Sequence, residues 1–273
     1  MNILQLQTNV FEKKSDTFMY IEKLLDSNKD KTIDFIALPE MFNCPYDNNK
    51  FFDYAEFEQG LSYQFCQELA QKYKSYVSAG SLPEKDTHGN LYNTAYVFND
   101  QGQCIAKHRK MHLFDIDIKN GQRFKESDTL SAGNQITVFD TKWGKMGLCI
   151  CYDIRFPELI RLMALEGANI IFVPAAFNQT TGPLHWELLF RSRAVDNQIF
   201  LIGTSPALNN NANYKAYGHS IVVSPWGKVL NQLSDDAGTS LTNIDLNELH
   251  EVRKQLPLLL HRRLDIYDIR KNY

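Results

Sequence analysis

The sequence predicts an α/β fold in which two mixed β-sheets pack face to face between helices, a four-layer α-β-β-α sandwich. Three observations support this reading. Short apolar runs of the kind that form buried strands alternate with helical stripes along most of the chain. Three turns, Asn99-Asp-Gln-Gly102, Lys142-Trp-Gly-Lys145 and Pro225-Trp-Gly-Lys228, insert hairpins into that alternation, so parallel and antiparallel pairs should share sheets. No Pro/Gly/Ser-rich linker or shift of composition divides the 273 residues, so residues 1–273 read as one domain.

The elements follow in order. Residues 3–7 form a first strand. A helix comes next, with Phe18, Ile21, Leu24 and Leu25 on one face. Residues 33–38 are an apolar run stopped by Pro39, which suits a buried strand. Leu61, Phe65, Leu69 and Tyr73 recur every fourth residue and mark a helix. Residues 76–82 and 93–98 read as strands, and residues 104–107 return from the first turn. Residues 146–150 are a strand running into Cys151. The following helix has Pro157 in its first turn and Gly167 past its end, the usual asymmetry. Residues 169–173 form a buried strand stopped by Pro174, residues 184–197 a helix and residues 199–204 a strand. Residues 220–224 and 241–244 add two more strands.

Composition excludes several classes of function. Net charge is −3 with acids and bases interspersed, so no basic stripe invites nucleic acid or an anionic membrane. No apolar run reaches the length of a membrane span. The opening Met-Asn-Ile-Leu-Gln-Leu-Gln lacks the charged and apolar regions of a signal peptide. The five cysteines are odd in number and contain no Cys-x-x-Cys pair, which disfavours a disulfide framework and a zinc ribbon. A reducing cytoplasmic location is expected.

The junction Gly147-Leu-Cys-Ile-Cys-Tyr-Asp-Ile-Arg-Phe-Pro157 carries the strongest chemical signal. It places Cys151 where a strand gives way to a helix, where backbone N–H groups favour thiolate. Free cysteines are more often small buried fillers, and Cys149 is the better candidate for that part. Glu40 ends the apolar run before it, at the strand end where ligands bind in α/β sheets. Partial desolvation there would raise its pKa and suit a general base, although an ordinary solvated glutamate would look the same. Lys110 stands where a strand should end, beside Leu113 and Phe114. Its ammonium near the thiol would stabilise thiolate and then an oxyanion, and Lys107, Arg109 and His108 can all be surface residues.

Four motifs together resemble the nitrilase superfamily of carbon–nitrogen hydrolases. They are Leu38-Pro-Glu-Met-Phe42, His108-Arg-Lys-Met-His-Leu-Phe-Asp115, Phe124-Lys-Glu-Ser-Asp-Thr-Leu-Ser-Ala-Gly133 and the Cys151 junction. The segments 42–46, 176–187 and 191–198 are similar to the omega-amidase branch, which hydrolyses the terminal amides of 2-oxoglutaramate and 2-oxosuccinamate. Met41 and Cys44 stand where relatives often carry Cys and Ser.

This resemblance implies that Cys151 attacks the amide carbon, Glu40 acts as base, and Lys110 with the Tyr152 backbone N–H holds the oxyanion. It implies that Glu126 is the family's second glutamate, placed to orient Lys110. It implies that Arg155 grips the carboxylate of a 2-oxo acid amide, whereas an ion pair with Asp153 or Glu158 is the plainer alternative. Tyr46, Phe177 and Thr181 are candidates to shape the pocket. No metal or organic cofactor is called for, and a homodimer built on helices 157–166 and 184–197 is implied. A Cys/His hydrolase using His108, His112, His185 or His219 is the competing enzyme. A metal on His108 and His112 would need that segment to be helical. A non-enzymatic interaction module is the other class. Within the superfamily, deaminated glutathione, carbamoyl amides, aliphatic amides and nitriles are alternative substrates.

Overall fold

The computed structural model describes residues 1–117 and 123–272. Strand β1 (Asn2–Gln7) leads into helix α1 (Lys14–Asp26), then β2 (Phe35–Ala37), α2 (Asn48–Tyr54), α3 (Leu61–Tyr73) and β3 (Tyr76–Ser78). Strands β4 (Leu82–Lys85), β5 (Leu91–Phe98) and β6 (Cys104–Arg109) complete a seven-stranded sheet with β15 (Gly238–Asn243) at its edge. Strands β1, β2 and β3 are parallel, and the others join antiparallel.

The second sheet repeats this plan. Its parallel trio is β10 (Gly144–Leu148), β11 (Ile170–Pro174) and β12 (Phe200–Thr204), joined by α4 (Pro157–Leu165) and α5 (Gly182–Asn197). Strands β9 (Thr137–Thr141), β13 (Ile221–Val223) and β14 (Val229–Gln232) flank it antiparallel. A two-stranded pair, β7 (Asp115–Asp117) with β8 (Arg123–Lys125), stands apart, and α6 (Asn247–Gln255) follows β15.

Strand alternation sorts the side chains into layers. Ile3 and Phe35 face the second sheet, where the Phe35 and Phe172 rings stack at 4.6 Å. Leu4, Leu6 and Ile36 point the other way, onto Ile21 and Leu25 of α1 and Leu69 of α3. On the far side, Leu159 and Met163 of α4 and Trp186 and Phe190 of α5 cover the second sheet. Each large buried side chain contributes roughly 1.5–3 kcal/mol. The layers are therefore α-β-β-α, as the sequence predicts. Two buried glutamines also link the sheets: Gln5 Nε2 donates to Gly203 O at 2.7 Å, and Gln7 Nε2 donates to Ser234 O at 2.7 Å.

Some boundaries differ from expectation, each for a local reason. The single strand expected over residues 76–82 is two strands, because Gly80 adopts φ +57° and lies against the Pro39 carbonyl, where a Cβ would come within 2.1 Å. Helix α2 was not foreseen, although Asp47 caps it by accepting from Asn49 N at 2.9 Å. Helix α6 and the β7–β8 pair were also unforeseen. Helix α5 begins two residues earlier than expected, with Pro183 in its first turn.

Candidate active site

Glu40 and Cys151 follow the parallel strands β2 and β10, one in each sheet, whereas Lys110 follows β6 and Glu126 follows β8. Glu40 follows β2 and is wholly buried. Its turn is held by the segment after Gly80: Met41 N donates to Ser81 Oγ at 3.0 Å and Phe42 N to Ser81 O at 3.1 Å. Glu40 Oε2 accepts from Ala176 N at 2.8 Å, just beyond β11, so the carboxyl bridges the two sheets. Oε1 accepts from Asn93 Nδ2 at 2.8 Å and Lys110 Nζ at 3.0 Å.

Lys110 continues the pairing of β6 with β5, its N–H donating to Asn93 O at 2.8 Å. Its ammonium, fully buried, also donates to Glu126 Oε1 at 2.9 Å. Glu126 opens a one-turn helix after β8 and accepts from Phe114 N at 2.6 Å through Oε2. Tyr46 OH donates to Glu126 Oε1 at 2.5 Å and lies 3.3 Å from Glu40 Oε1. Cys151 opens another one-turn helix, Cys151–Arg155, with φ +47°, and its thiol faces the Glu40 carboxyl. Four distant stretches thus deliver a thiol, two carboxyl groups and an ammonium to one enclosed cluster.

Electrostatics follow from this enclosure. Burial pushes the Glu40 carboxyl up, Lys110 draws it down, and Glu126 pushes it up again, leaving it above the ordinary glutamate value. Burial pulls the Lys110 ammonium down, but Glu126, Glu40 and Cys151 outweigh it and hold the proton on. The Cys151 thiol is pushed well up, first by burial and then by the Glu40 charge, against Lys110 and the Ala176 N–H. This corrects the expectation that the junction itself favours thiolate. A short, buried helical turn does not offset desolvation, so the resting group is a thiol beside a proton acceptor. Cys149 is buried filler.

A second network holds the junction, and the sequence did not reveal it. Asp153, wholly buried, accepts from Ile150 N at 3.0 Å and His112 N at 2.9 Å. His108 Nε2 lies 3.1 Å from its Oδ2 and His112 Nδ1 2.8 Å from its Oδ1. Burial alone would raise this carboxyl, but the hydrogen bonds from both histidines and from Ile150 N hold it well below the usual range. His108 lies on β6 and His112 beyond it, so their spacing is not helical. Among the described residues no group of His, Cys, Asp or Glu is arranged to hold a metal ion.

Of the expected substrate residues, Arg155 lies over the Phe177 ring at 4.7 Å, and its Nη1 meets His185 Nδ1 at 3.0 Å. Among the described residues it has no carboxylate partner, so it makes no ion pair with Asp153 or Glu158. Phe177 is buried edge-on against Trp186. Tyr152 packs its ring edge-on against Phe114, and its N–H leads the turn after the thiol. Thr181 starts α5 and gives its N–H and hydroxyl to Asn178 Oδ1, at 2.8 and 3.0 Å. No hydrogen bond joins it to the Glu40 cluster among the described residues. Tyr214, unforeseen, stacks on Tyr46 at 4.4 Å and donates to Ala176 O. A cavity of about 460 Å³ is lined by Glu40, Met41, Cys44, Tyr46, Lys50 and Tyr214, and Cys151 and Arg155 do not line it.

Known proteins are similar to this chain along nearly its whole length. Residues 3–254 match the carbon-nitrogen hydrolase family. Omega-amidase NIT2 of Bos taurus is 45% identical over 264 residues, covering 97% of this chain and 95% of that protein. Omega-amidase NIT3 of Saccharomyces cerevisiae is 46% identical over 253 residues, covering 91% and 86%. The crystal structure of S. cerevisiae Nit3, described as a member of branch 10 of the nitrilase superfamily, superposes with a TM-score of 0.89 at 39% identity over 96% of each chain. With its fold, its clustered thiol, carboxyls and ammonium, and this breadth of similarity in agreement, the chain belongs to the carbon–nitrogen hydrolase family of the nitrilase superfamily.

Proposed function

We propose that this protein is an omega-amidase that hydrolyses the terminal amide of 2-oxoglutaramate or 2-oxosuccinamate to the 2-oxo dicarboxylate and ammonia. The observation that carries this reading is the enclosed cluster in which the Glu40 carboxyl bonds the Lys110 ammonium and faces the Cys151 thiol, beside an arginine with no carboxylate partner among the described residues. Relatives bearing the omega-amidase name at 45–46% identity support it.

Glu40 takes the Cys151 proton as sulfur attacks the amide carbon. The oxyanion faces the Lys110 ammonium and the Tyr152 N–H, and one such preorganised donor typically contributes about 3 kcal/mol. Glu40 passes its proton to the amide nitrogen, the C–N bond breaks, and ammonia leaves a thioester. A water molecule then gives a proton to Glu40 and adds to the thioester carbon. The C–S bond breaks, the acid is released and the thiol regains its proton. A raised Glu40 pKa suits this traffic, because the group must accept and return a proton at each half-reaction. Glu126 and Tyr46 steer Lys110, while Arg155 takes the distal carboxylate by its planar fork, over Phe177.

One domain carries all of these groups. Leu184 and Leu188 lie 71% and 64% exposed on α5, which supports a homodimer through that helix. Five free cysteines suit a cytoplasmic location, and no helix among the described residues is long and apolar enough to cross a membrane.

Ammonia release measured with 2-oxoglutaramate, 2-oxosuccinamate, deaminated glutathione, a carbamoyl amide and an aliphatic amide tests the substrate. The two 2-oxo dicarboxylate monoamides are expected to give the highest kcat/KM. A clear preference for deaminated glutathione or an uncharged amide overturns the assignment.

A further inference from the structure

Arg155 has an unusual environment for a half-buried cation. Its Nη1 lies 3.0 Å from the His185 Nδ1, its Cζ lies 4.7 Å from the centre of the Phe177 ring, and its buried Nε has no hydrogen-bond partner among the described residues. Nη1 lies on the Cδ side of the guanidinium. Engaging it leaves the opposite edge, Nε–H with one N–H of Nη2, as a free pair of parallel donors. That edge matches the two oxygens of a carboxylate.

His185 is itself fixed. It sits in the first turn of α5, where its backbone N–H donates to Thr181 O at 2.8 Å. Accepting from a guanidinium requires an unprotonated Nδ1, so the ring proton resides on Nε2. Burial, and then the Arg155 charge, both lower the His185 pKa and keep the ring neutral.

We propose that His185 is a positioning residue that selects which edge of Arg155 meets the ligand, and thereby makes the site selective for amides ending in a planar carboxylate. The inference rests on the reading of Arg155 as the carboxylate anchor and adds a residue that the sequence resemblance does not assign to this task. Without the imidazole, the guanidinium is free to rotate about its last side-chain torsions, and the Nε edge is no longer held toward the ligand. An arginine that must be ordered by its substrate binds that substrate more weakly.

The test compares 2-oxoglutaramate with pentanamide, an uncharged amide of the same carbon count, using the full chain. In His185→Ala, KM for 2-oxoglutaramate is expected to rise about tenfold with kcat changed less than threefold, so the kcat/KM ratio of charged to uncharged amide falls about tenfold. His185→Asn, whose side-chain oxygen can stand near the Nδ1 position, is expected to recover most of that ratio. His185 is partly exposed, so both variants are expected to fold, which circular dichroism checks. An unchanged ratio in His185→Ala, a collapse of kcat with KM unmoved, or no recovery by asparagine overturns the proposal. Arg155→Ala separates the two layers. If it lowers the ratio while His185→Ala does not, only the role of His185 fails; if it too leaves the ratio unchanged, the carboxylate anchor fails with it.

Discussion

Glu40 and Asp153 are both wholly buried acids placed beside strand ends, and their proton affinities are driven in opposite directions. Glu40 shares its cluster with a second carboxyl and a thiol, against one ammonium. Asp153 has four donors, two from backbone N–H groups and two from imidazoles. Burial penalises both charges, so the neighbours decide. On the mechanism proposed above the outcome divides the labour: one carboxyl exchanges a proton, and the other is held as an anion that ties the Cys151 junction to His108 of β6 and to His112.

The sharpest break in this comparison comes from removing the exchangeable proton. Glu40→Gln keeps the shape and is expected to lower kcat by about 10³-fold or more, by loss of general base and acid together. Single-turnover kinetics with 2-oxoglutaramate should show acylation itself slowed; normal acylation would move the base elsewhere. Asp153→Ala is expected to act mainly on the fold. It strands two imidazoles and two N–H groups, at a cost of about 3–5 kcal/mol, read as a lowered midpoint in urea. The remaining folded enzyme should lose about 10²-fold in kcat through a displaced thiol. If stability is unchanged, the second network is not the fastening described here.

The two acids also separate on the pH axis. Glu40 is raised, so its base form is lost as pH falls through a value above the ordinary 4.5. Asp153 is depressed, so its stabilising contribution is complete above its unfolded value of about 3.9 and is lost only as pH falls through its lower folded value. A window of mild acidity is therefore expected in which the enzyme is folded, inactive and fully recoverable. Parallel kcat/KM and circular dichroism series measure it, and coincident acid limbs would contradict the division. The smallest effect is assigned to Asn93→Ala, which removes one donor from Glu40. The acid limb of kcat/KM should move to higher pH, with about a tenfold loss at its plateau.

The sequence exposes these two acids unequally. Glu40 follows a short apolar run, and Cys151 ends another, so both are visible as chemistry placed at strand ends. Lys110 and Glu126 are weak signals alone and gain force only from the four motifs together. Asp153 lies two residues beyond the thiol, yet its partners are His108 and His112, 45 and 41 positions away. Local pattern cannot pair such residues, and their spacing of four invites a helical reading that β6 rules out. Asn93 sits in a strand buried on nearly every residue, where alternation gives no clue to facing. The one signal was an amide in the middle of a strand, where asparagine is disfavoured. The four layers were legible because helix stripes and buried runs persist over many residues, whereas α2 is short and Gly80 divides its strand through backbone conformation alone.

Cys151 holds φ +47°, a backbone state in which every side chain with a β-carbon is uncomfortable. On the mechanism proposed above, this position keeps a nucleophilic sulfur at the expense of conformational ease. Glycine there is expected to melt later than alanine, by about 1 kcal/mol of stability, and to be equally inert. The backbone would rest more easily without this side chain.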